Sequence, residues 1–393
     1  MAPPFSKIEY NTRAHRVREA MKHQNLDALI IGNPDNINWL TGYDAWSFYT
    51  PQLMLIDLNE DGLFWFGREM DAGAAKFTTY LTEQQIIGYP EEFVQTPLTH
   101  PSCYISNWIK KSGYEGSIIG LETDSYFTSP RSIANLQSNL ENIKWRDADL
   151  LINWVRVVKS EAEITMMRQA AIISDIAMET AYAGTSVGVR QCDLMADIVA
   201  AQIKGTKDFG GDMTALHPLI LAGESASTAH PLWTDAELKP EQTIAFELGG
   251  CRKRYNVGLA RTVHLGKKKP KKLIETAKAV TEGMHAVVDT LRSDVSTGAV
   301  HQAWQSILDS YGLEKKSRIG YSIGVGYPPD WGEQTLSFRA NEQTIVPQNA
   351  VVHIILGMWM DGWGMELSET LHVQEHESAR LSKFSQEVEL IKG

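Results

Sequence analysis

Six side chains in this sequence stand out as of types that do acid–base or nucleophilic work. Glu247 sits inside "TIAFELGG", an otherwise apolar strand pattern. A buried carboxylate is costly unless paired, so Glu247 either has a structural partner, such as Arg254 or Arg261, or is kept for chemistry. Glu366 and Glu369 flank Ser368 in "GMELSET". On a strand Glu366 and Ser368 share one face and Glu369 takes the other, which favours Glu366 as the inward residue. Tyr321 in "GYSIG" offers a phenol as hydrogen-bond donor. His230 lies in "STAHPLW", where a histidine beside proline is by itself more often a surface or packing residue. His217 in "ALHPLIL" could equally cap a strand.

A second group is aromatic. Trp39, Tyr43, Trp46, Tyr327, Trp331, Trp359 and Trp363 cluster in loop-like segments with Gly, Pro and Asp. Most tryptophans are core, but this setting suits a pocket wall that holds a cation by cation–π contact. Trp39, Tyr43, Tyr327, Asp330, Trp331 and Trp363 are the candidate substrate contacts. Arg261 in "LART" either buttresses the sheet or holds a substrate carboxylate.

The elements that must position these groups fall into two halves. Residues Tyr10–Lys22 predict a helix, "LDALIIG" a buried strand, and "LMLIDLNEDGLFWFG" a hairpin turning at Asn-Glu-Asp-Gly. "MDAGAAKFTTYL" returns to helix and "SIIGLE" to strand. This mixture predicts an α/β domain over residues 1–155. Residues 156–393 open on "KSEAEITMMRQAA", in which Ser160 and Glu163 have the spacing of a capping box. Further helices are expected at 188–203, 271–292 and 295–311, interleaved with the strands "PLILAG", "TIAFELGG", "GLARTVHLG", "AVVHIILGMWM" and "SETLHVQ". Runs of strands beside separate long helices make the fold class α+β.

Composition narrows the function. A length of 393 residues favours two domains, and 43% hydrophobic content supports large cores. The formal charge of −11 argues against nucleic acid as a partner. The short basic run Lys267–Lys272 fits a solvated turn before a helix. Cys103, Cys192 and Cys251 are odd in number and widely spaced, which predicts neither disulfides nor a zinc site. No stretch reaches the ~18 apolar residues of a membrane span, so a cytoplasmic protein without membrane partners is expected.

The helix "KSEAEITMMRQAA", "ESASTAHPLW", "ELGGCRKRYNVGLART", "GYSIG" and "GMELSETLHV" occur in this order. Together they resemble the pita-bread superfamily of creatinase, aminopeptidase P, prolidase and methionine aminopeptidase. The resemblance implies a creatinase-type N-terminal domain, a C-terminal pita-bread domain and a homodimer in which each N-terminal domain covers its neighbour's pocket. Metal-dependent members hold two ions with two Asp, one His and two Glu. Those positions fall here on Glu247, Gly258, Tyr321, Ile355 and Ser368, the last moving to Glu369 with a one-residue shift. Glycine and isoleucine offer no donor, so no metal and no cofactor is expected.

An emptied metal site lined by Glu247, Glu366 or Glu369, and His230 favours a cationic electrophile. An amidinium carbon already carries positive charge and needs no Lewis acid; carboxylates can hold its N–H groups. Creatinase, the metal-free guanidine hydrolase of the superfamily, follows that logic, although its Glu before Arg-Thr and His before Ser are here Ala260 and Tyr321. "NINWLTGYDAWSFY", "GYSIGVGYPPDWGE" and "LGMWMDGWGMELSET" instead resemble the ectoine hydrolases, which open a cyclic amidine ring. The resemblance implies Glu247 as nucleophile or main amidinium contact and His230 as general acid and base. The alternatives are hydrolysis of another small guanidine or amidine, a non-enzymatic binding protein, and, more weakly, lyase chemistry on another osmolyte.

Overall fold

The computed structural model describes residues 2–392, which divide into two compact units, one ending at Arg156 and the other beginning at Val157. The N-terminal unit has one six-stranded sheet. Its strands are β1 (Ala28–Ile31), β2 (Leu53–Asp57), β3 (Leu63–Arg68), β4 (Ile86–Tyr89), β5 (Ile118–Leu121) and β6 (Lys144–Asp147), in the order β4-β3-β2-β1-β5-β6. The β2–β3 hairpin forms where the Asn-Glu-Asp-Gly signal predicts it. Around the sheet lie α1 (Lys7–His23), α2 (Pro34–Thr41), α3 (Glu69–Thr78), α4 (Pro101–Lys111), α5 (Pro130–Asn139) and α6 (Leu151–Arg156). The first helix begins three residues before the sequence pattern suggests, because the Ser6 hydroxyl caps it by accepting from Glu9 N–H.

The second unit begins with α7 (Glu161–Gly184) and α8 (Gln191–Lys204). The capping box forms as expected: Ser160 Oγ accepts from Glu163 N–H and the Glu163 carboxylate accepts from Ser160 N–H. There follow β7 (Leu219–Ala222), β8 (Gln242–Arg252), β9 (Tyr255–Leu265), α9 (Lys271–Thr290), α10 (Thr297–Ser310), β10 (Gly320–Tyr327) and β11 (Asp330–Ser337). The chain closes with β12 (Val351–Ile355), β13 (Met358–Met360), β14 (Trp363–Met365), β15 (Ser368–Val373), β16 (Ser378–Arg380) and β17 (Glu389–Ile391). The large sheet runs β16-β15-β12-β10-β9-β8-β7, with β11 on β10 and β17 on β9. This segregation of long helices and a largely antiparallel sheet is the α+β class expected.

The spine of the site is the β8–β9 hairpin. Its strands pair without a slip from Gln242↔Leu265 to Arg252↔Tyr255. The two turn residues, Lys253 (φ 52) and Arg254 (φ 66), both adopt the left-handed conformation that a two-residue hairpin needs. Unbroken register fixes which side chains share a face. Glu247, Gly249, Gly258, Ala260 and Thr262 stand on one face; Phe246, Gly250, Val257, Leu259 and Arg261 stand on the other. Helix α7 packs on the second face so closely that a Cβ on Gly250 would lie 2.0 Å from the Ala170 carbonyl oxygen. The Ser174 hydroxyl donates to the Val257 carbonyl at 2.7 Å on that same face. The helices therefore take one face of the hairpin, and the carboxylate of Glu247 is left on the other.

Candidate active site

Strand pairing carries the front face across the sheet. Tyr321 of β10 lies opposite His353 of β12, and Ile355 of β12 lies opposite Ser368 of β15. Side chains at these positions join Glu247, Gly249 and Gly258 on one surface. Glu366 precedes β15 and is tied to β9: its N–H donates to Thr262 Oγ1 at 2.8 Å, and the Thr262 hydroxyl donates to the Glu366 carbonyl at 2.9 Å. That double link holds the Glu366 carboxyl close enough to Glu247 for the two charges to interact.

Electrostatics make this a proton-sharing pair. Glu247 is 5% exposed and Glu366 1%. Burial pushes the Glu247 carboxyl up to about 7. Burial, and then the charge of Glu247, push Glu366 well above the usual carboxylate range, while the Lys315 ammonium draws it partly back. Two buried like charges cannot both ionise at neutral pH. Both carboxyls are thus shifted toward the protonated form, by burial and, for Glu366, by the charge of Glu247 as well.

Three rings close the surface. A Cβ on Gly249 would meet the Trp331 indole at 2.5 Å, so the glycine is what lets that ring lie against the strand. Trp331 Nε1–H donates to the Tyr321 hydroxyl oxygen at 2.9 Å, which leaves the phenol proton available to another acceptor. Burial and the nearby Glu247 charge raise the Tyr321 pKa, so the phenol stays a neutral donor. The His353 ring stands edge-on to both Tyr321 and Trp331, at 5.7 and 5.6 Å between centroids. Burial lowers its pKa to about 3, which keeps the imidazole uncharged. Its Nε2 lies 2.8 Å from Ser368 Oγ, and that oxygen accepts from Ala260 N–H at 2.6 Å.

Of the residues singled out from sequence, Glu247, Glu366, Tyr321 and Trp331 are brought together. Asp330 begins β11 beside them, its carboxylate accepting from Gly332 N–H at 2.8 Å. Tyr327 is buried with the Arg254 guanidinium 4.9 Å from its ring centre. Glu369 and Arg261 go elsewhere. Glu369 lies opposite Ile354, on the reverse face, where Arg261 Nη2 reaches its carboxylate at 2.7 Å and Arg380 at 2.9 Å. Arg261 also donates to the carbonyls of Ala260, Ser368, Phe384 and Ser385. Strand periodicity thus separates both from Glu247, and Arg261 takes the role of sheet buttress rather than carboxylate holder.

His230 is exposed, on the loop after β7, in a left-handed conformation (φ 69). His217 is also exposed, edge-on to Trp233. Trp363 carries Lys272 over its ring at 4.7 Å. In the N-terminal unit, Trp39 and Tyr43 are core residues. Trp39 is fully buried beneath Arg13, and the Tyr43 hydroxyl accepts from Gln52 Nε2 at 3.0 Å. The exposed aromatics of that segment are Trp46 and Tyr49. Sequence reasoning overlooked His353 and Lys315. For His353 a signal existed: it stands two residues before Ile355, hence on the same strand face as that vacated ligand position.

A pair of divalent ions does not fit this donor set. Gly258 and Ile355 contribute no donor atom, and a side chain at 258 would run into the His353 ring. Among the described residues, no group of three or more His, Cys, Asp or Glu side chains is placed to hold a metal ion.

Comparison with known proteins defines the class. Residues 165–375 match the model of metallopeptidase family M24, and residues 13–158 match the creatinase/prolidase N-terminal domain. The chain belongs to family M24. A recombinant prolidase from Thermococcus sibiricus has the same fold, with a TM-score of 0.84 at 16% identity over 98% of this chain and 100% of its own. Within the family, the chain is 38% identical over 369 residues to an uncharacterised hydrolase/peptidase of Sinorhizobium fredii, covering 94% of each. It is 33% identical over 392 residues to the ectoine hydrolase of Halomonas elongata, covering 98% of each. The chain is a hydrolase.

Proposed function

We propose that this protein opens the cyclic amidine ring of ectoine to N-acetyl-2,4-diaminobutyrate without a metal ion. The observation that carries the proposal is the buried Glu247–Glu366 pair on a face whose metal-ligand positions hold Gly258 and Ile355. Similarity to an ectoine hydrolase over nearly the whole chain supports the choice of substrate. A cationic amidinium compensates a buried carboxylate, and its N–H groups match carboxylate oxygens.

The chemistry follows from the shared proton. Ionised Glu247 attacks the amidinium carbon; a C–O bond forms and the C=N π pair moves to nitrogen. Protonated Glu366 gives its proton to the leaving nitrogen as the ring C–N bond breaks, leaving an acyl-type adduct on Glu247. Glu366, now ionised, takes a proton from water as the water attacks the adduct. Collapse expels the Glu247 carboxylate as the C=O forms, and the hydroxyl proton passes to the released amine, giving the N-acetyl product with one water consumed. His230, on its exposed loop, is proposed to exchange the proton with solvent. Trp331 and Tyr321 would line the amidinium, and a cytoplasmic homodimer with Trp46 and Tyr49 at its interface is proposed as the working form.

Incubation of the purified protein with ectoine, followed by proton NMR, should show the ring methyl signal replaced by an acetyl methyl signal, unchanged by chelators. Stoichiometric bound metal together with chelator-sensitive turnover would refute metal independence; no conversion would refute the substrate.

A further inference from the structure

We propose that His353 receives the substrate's carboxylate through a buried Nδ1–H. The inference rests on the proposed function, because ectoine is a zwitterion whose carboxylate needs a donor while its amidinium needs acceptors. Arg261, the only arginine that sequence reasoning offered for the carboxylate, is fully engaged with Glu369 and four carbonyls on the reverse face of the sheet.

Among the described residues, two buried polar atoms on the front face lack a partner within the protein. One is Glu366 Oε2, an acceptor; the other is His353 Nδ1. The neighbouring hydrogen bonds bear on what His353 Nδ1 is. Ser368 Oγ already accepts from Ala260 N–H, so its own proton needs an acceptor, and His353 Nε2 lies 2.8 Å away. We take Nε2 of the neutral imidazole as the acceptor of that hydroxyl, which puts the ring proton on Nδ1. A buried N–H without a partner is unusual in a native protein, and on the face that carries Glu247 and Glu366 we read it as the place of a ligand atom.

Space is arranged for the same end. The imidazole stands where a side chain at 258 would otherwise project, since a Cβ there would lie 2.6–2.9 Å from Cε1, Nε2 and Nδ1. The glycine that removes a metal ligand is therefore also the glycine that admits the histidine. Tyr321, directly opposite His353 on the neighbouring strand, has a phenol proton not used by Trp331 and gives a second neutral donor on this face. Neutral donors suit this surface: they hold a carboxylate without neutralising the Glu247–Glu366 pair.

The test compares ectoine with its analogue lacking the carboxylate, 2-methyl-1,4,5,6-tetrahydropyrimidine, by calorimetry and by KM. Wild type should prefer ectoine about tenfold, the worth of one hydrogen bond to a charged group. His353→Asn places an amide N–H where Nδ1–H stands and should keep most of that preference. His353→Gln reaches Ser368 as Nε2 does, supplies no donor at Nδ1, and should bring the preference close to one. The opposite order, with Gln preserving it and Asn losing it, would assign His353 to anchoring Ser368 and overturn the proposal. Should the variants fail to fold, wild type decides. If it hydrolyses ectoine yet binds both compounds equally, the carboxylate role is wrong while the proposed function stands. If it neither binds nor hydrolyses ectoine, the functional proposal itself falls.

Discussion

A Cβ placed on Gly258 would stand 2.6 Å from Cε1 of His353. The missing side chain at 258 and the seat of the His353 ring are therefore sterically linked, and adding a side chain at 258 alone should fail. Gly258→Asp should lose about 2–4 kcal/mol of stability, from overpacking and from a further buried carboxylate. It should bind no more Zn or Mn than wild type. Urea unfolding and elemental analysis of the dialysed variant check both parts; stoichiometric metal uptake at unchanged stability would contradict them.

The hairpin, the capping box and the α+β class were legible because each is written locally. A turn signal between apolar runs, a Ser with Glu three residues on, and strands spaced between helices all act within a few residues. The faces of the sheet were legible in part. Period-two alternation favoured Glu366 over Glu369, but a one-residue uncertainty at Ser368 left both open, and only the pairing of Ile355 with Ser368 orders them in the structure. His353 and Lys315 were overlooked because their contribution depends on residues far away in sequence: Gly258 and Ser368 for the first, Glu366 for the second. Trp39 and Tyr43 show the reverse error, since aromatic clustering alone cannot distinguish a pocket wall from a core.

Stability should fall as pH rises through neutrality, in a way that depends on Glu247. Its carboxyl is raised from 4.5 to about 7, so the native state keeps a proton that the unfolded chain has released. The resulting contribution is complete below about pH 4.5 and is lost as pH rises through about 7. Glu247→Gln cannot lose that proton. Relative to wild type it should gain on the order of a few kcal/mol between about pH 5 and about pH 8. Chemical denaturation at the two pH values measures this; a difference independent of pH would show that Glu247 is paired rather than merely buried.

Arg261 and Glu369 should matter for folding rather than for catalysis. Both side chains are essentially inaccessible and their ion pair is 2.7 Å long, so Arg261→Met leaves the buried Glu369 carboxylate with Arg380 as its remaining charged partner. The cost of breaking a buried pair from one side is about 3–5 kcal/mol. The fraction that remains folded should keep KM for ectoine within about twofold of wild type, a margin below one hydrogen bond. A large rise in KM with unchanged stability would return Arg261 to the substrate.

Activity should depend on both the charge and the reach of Glu247. The residue projects from an unbroken stretch of β8, opposite Leu219 on one side and Ala260 on the other, so its backbone has little freedom to adapt. Glu247→Gln retains the shape but cannot attack carbon or balance the amidinium charge. Turnover should fall by at least ~10²-fold, the low end for deleting such a group. Ectoine binding should persist in weakened form, because Glu366 still offers an acceptor. Glu247→Asp restores the residue type of the metal-dependent relatives but withdraws the carboxylate by about one methylene. With Gly258 and Ile355 unchanged no donor set for an ion is rebuilt, so this variant should not recover activity even with added Mn or Zn. Single-turnover assays with mass spectrometry should show an adduct on Glu247 in wild type and none in either variant. Near-normal turnover by Glu247→Gln would remove Glu247 from both proposed roles and make Glu366 the carboxylate that attacks.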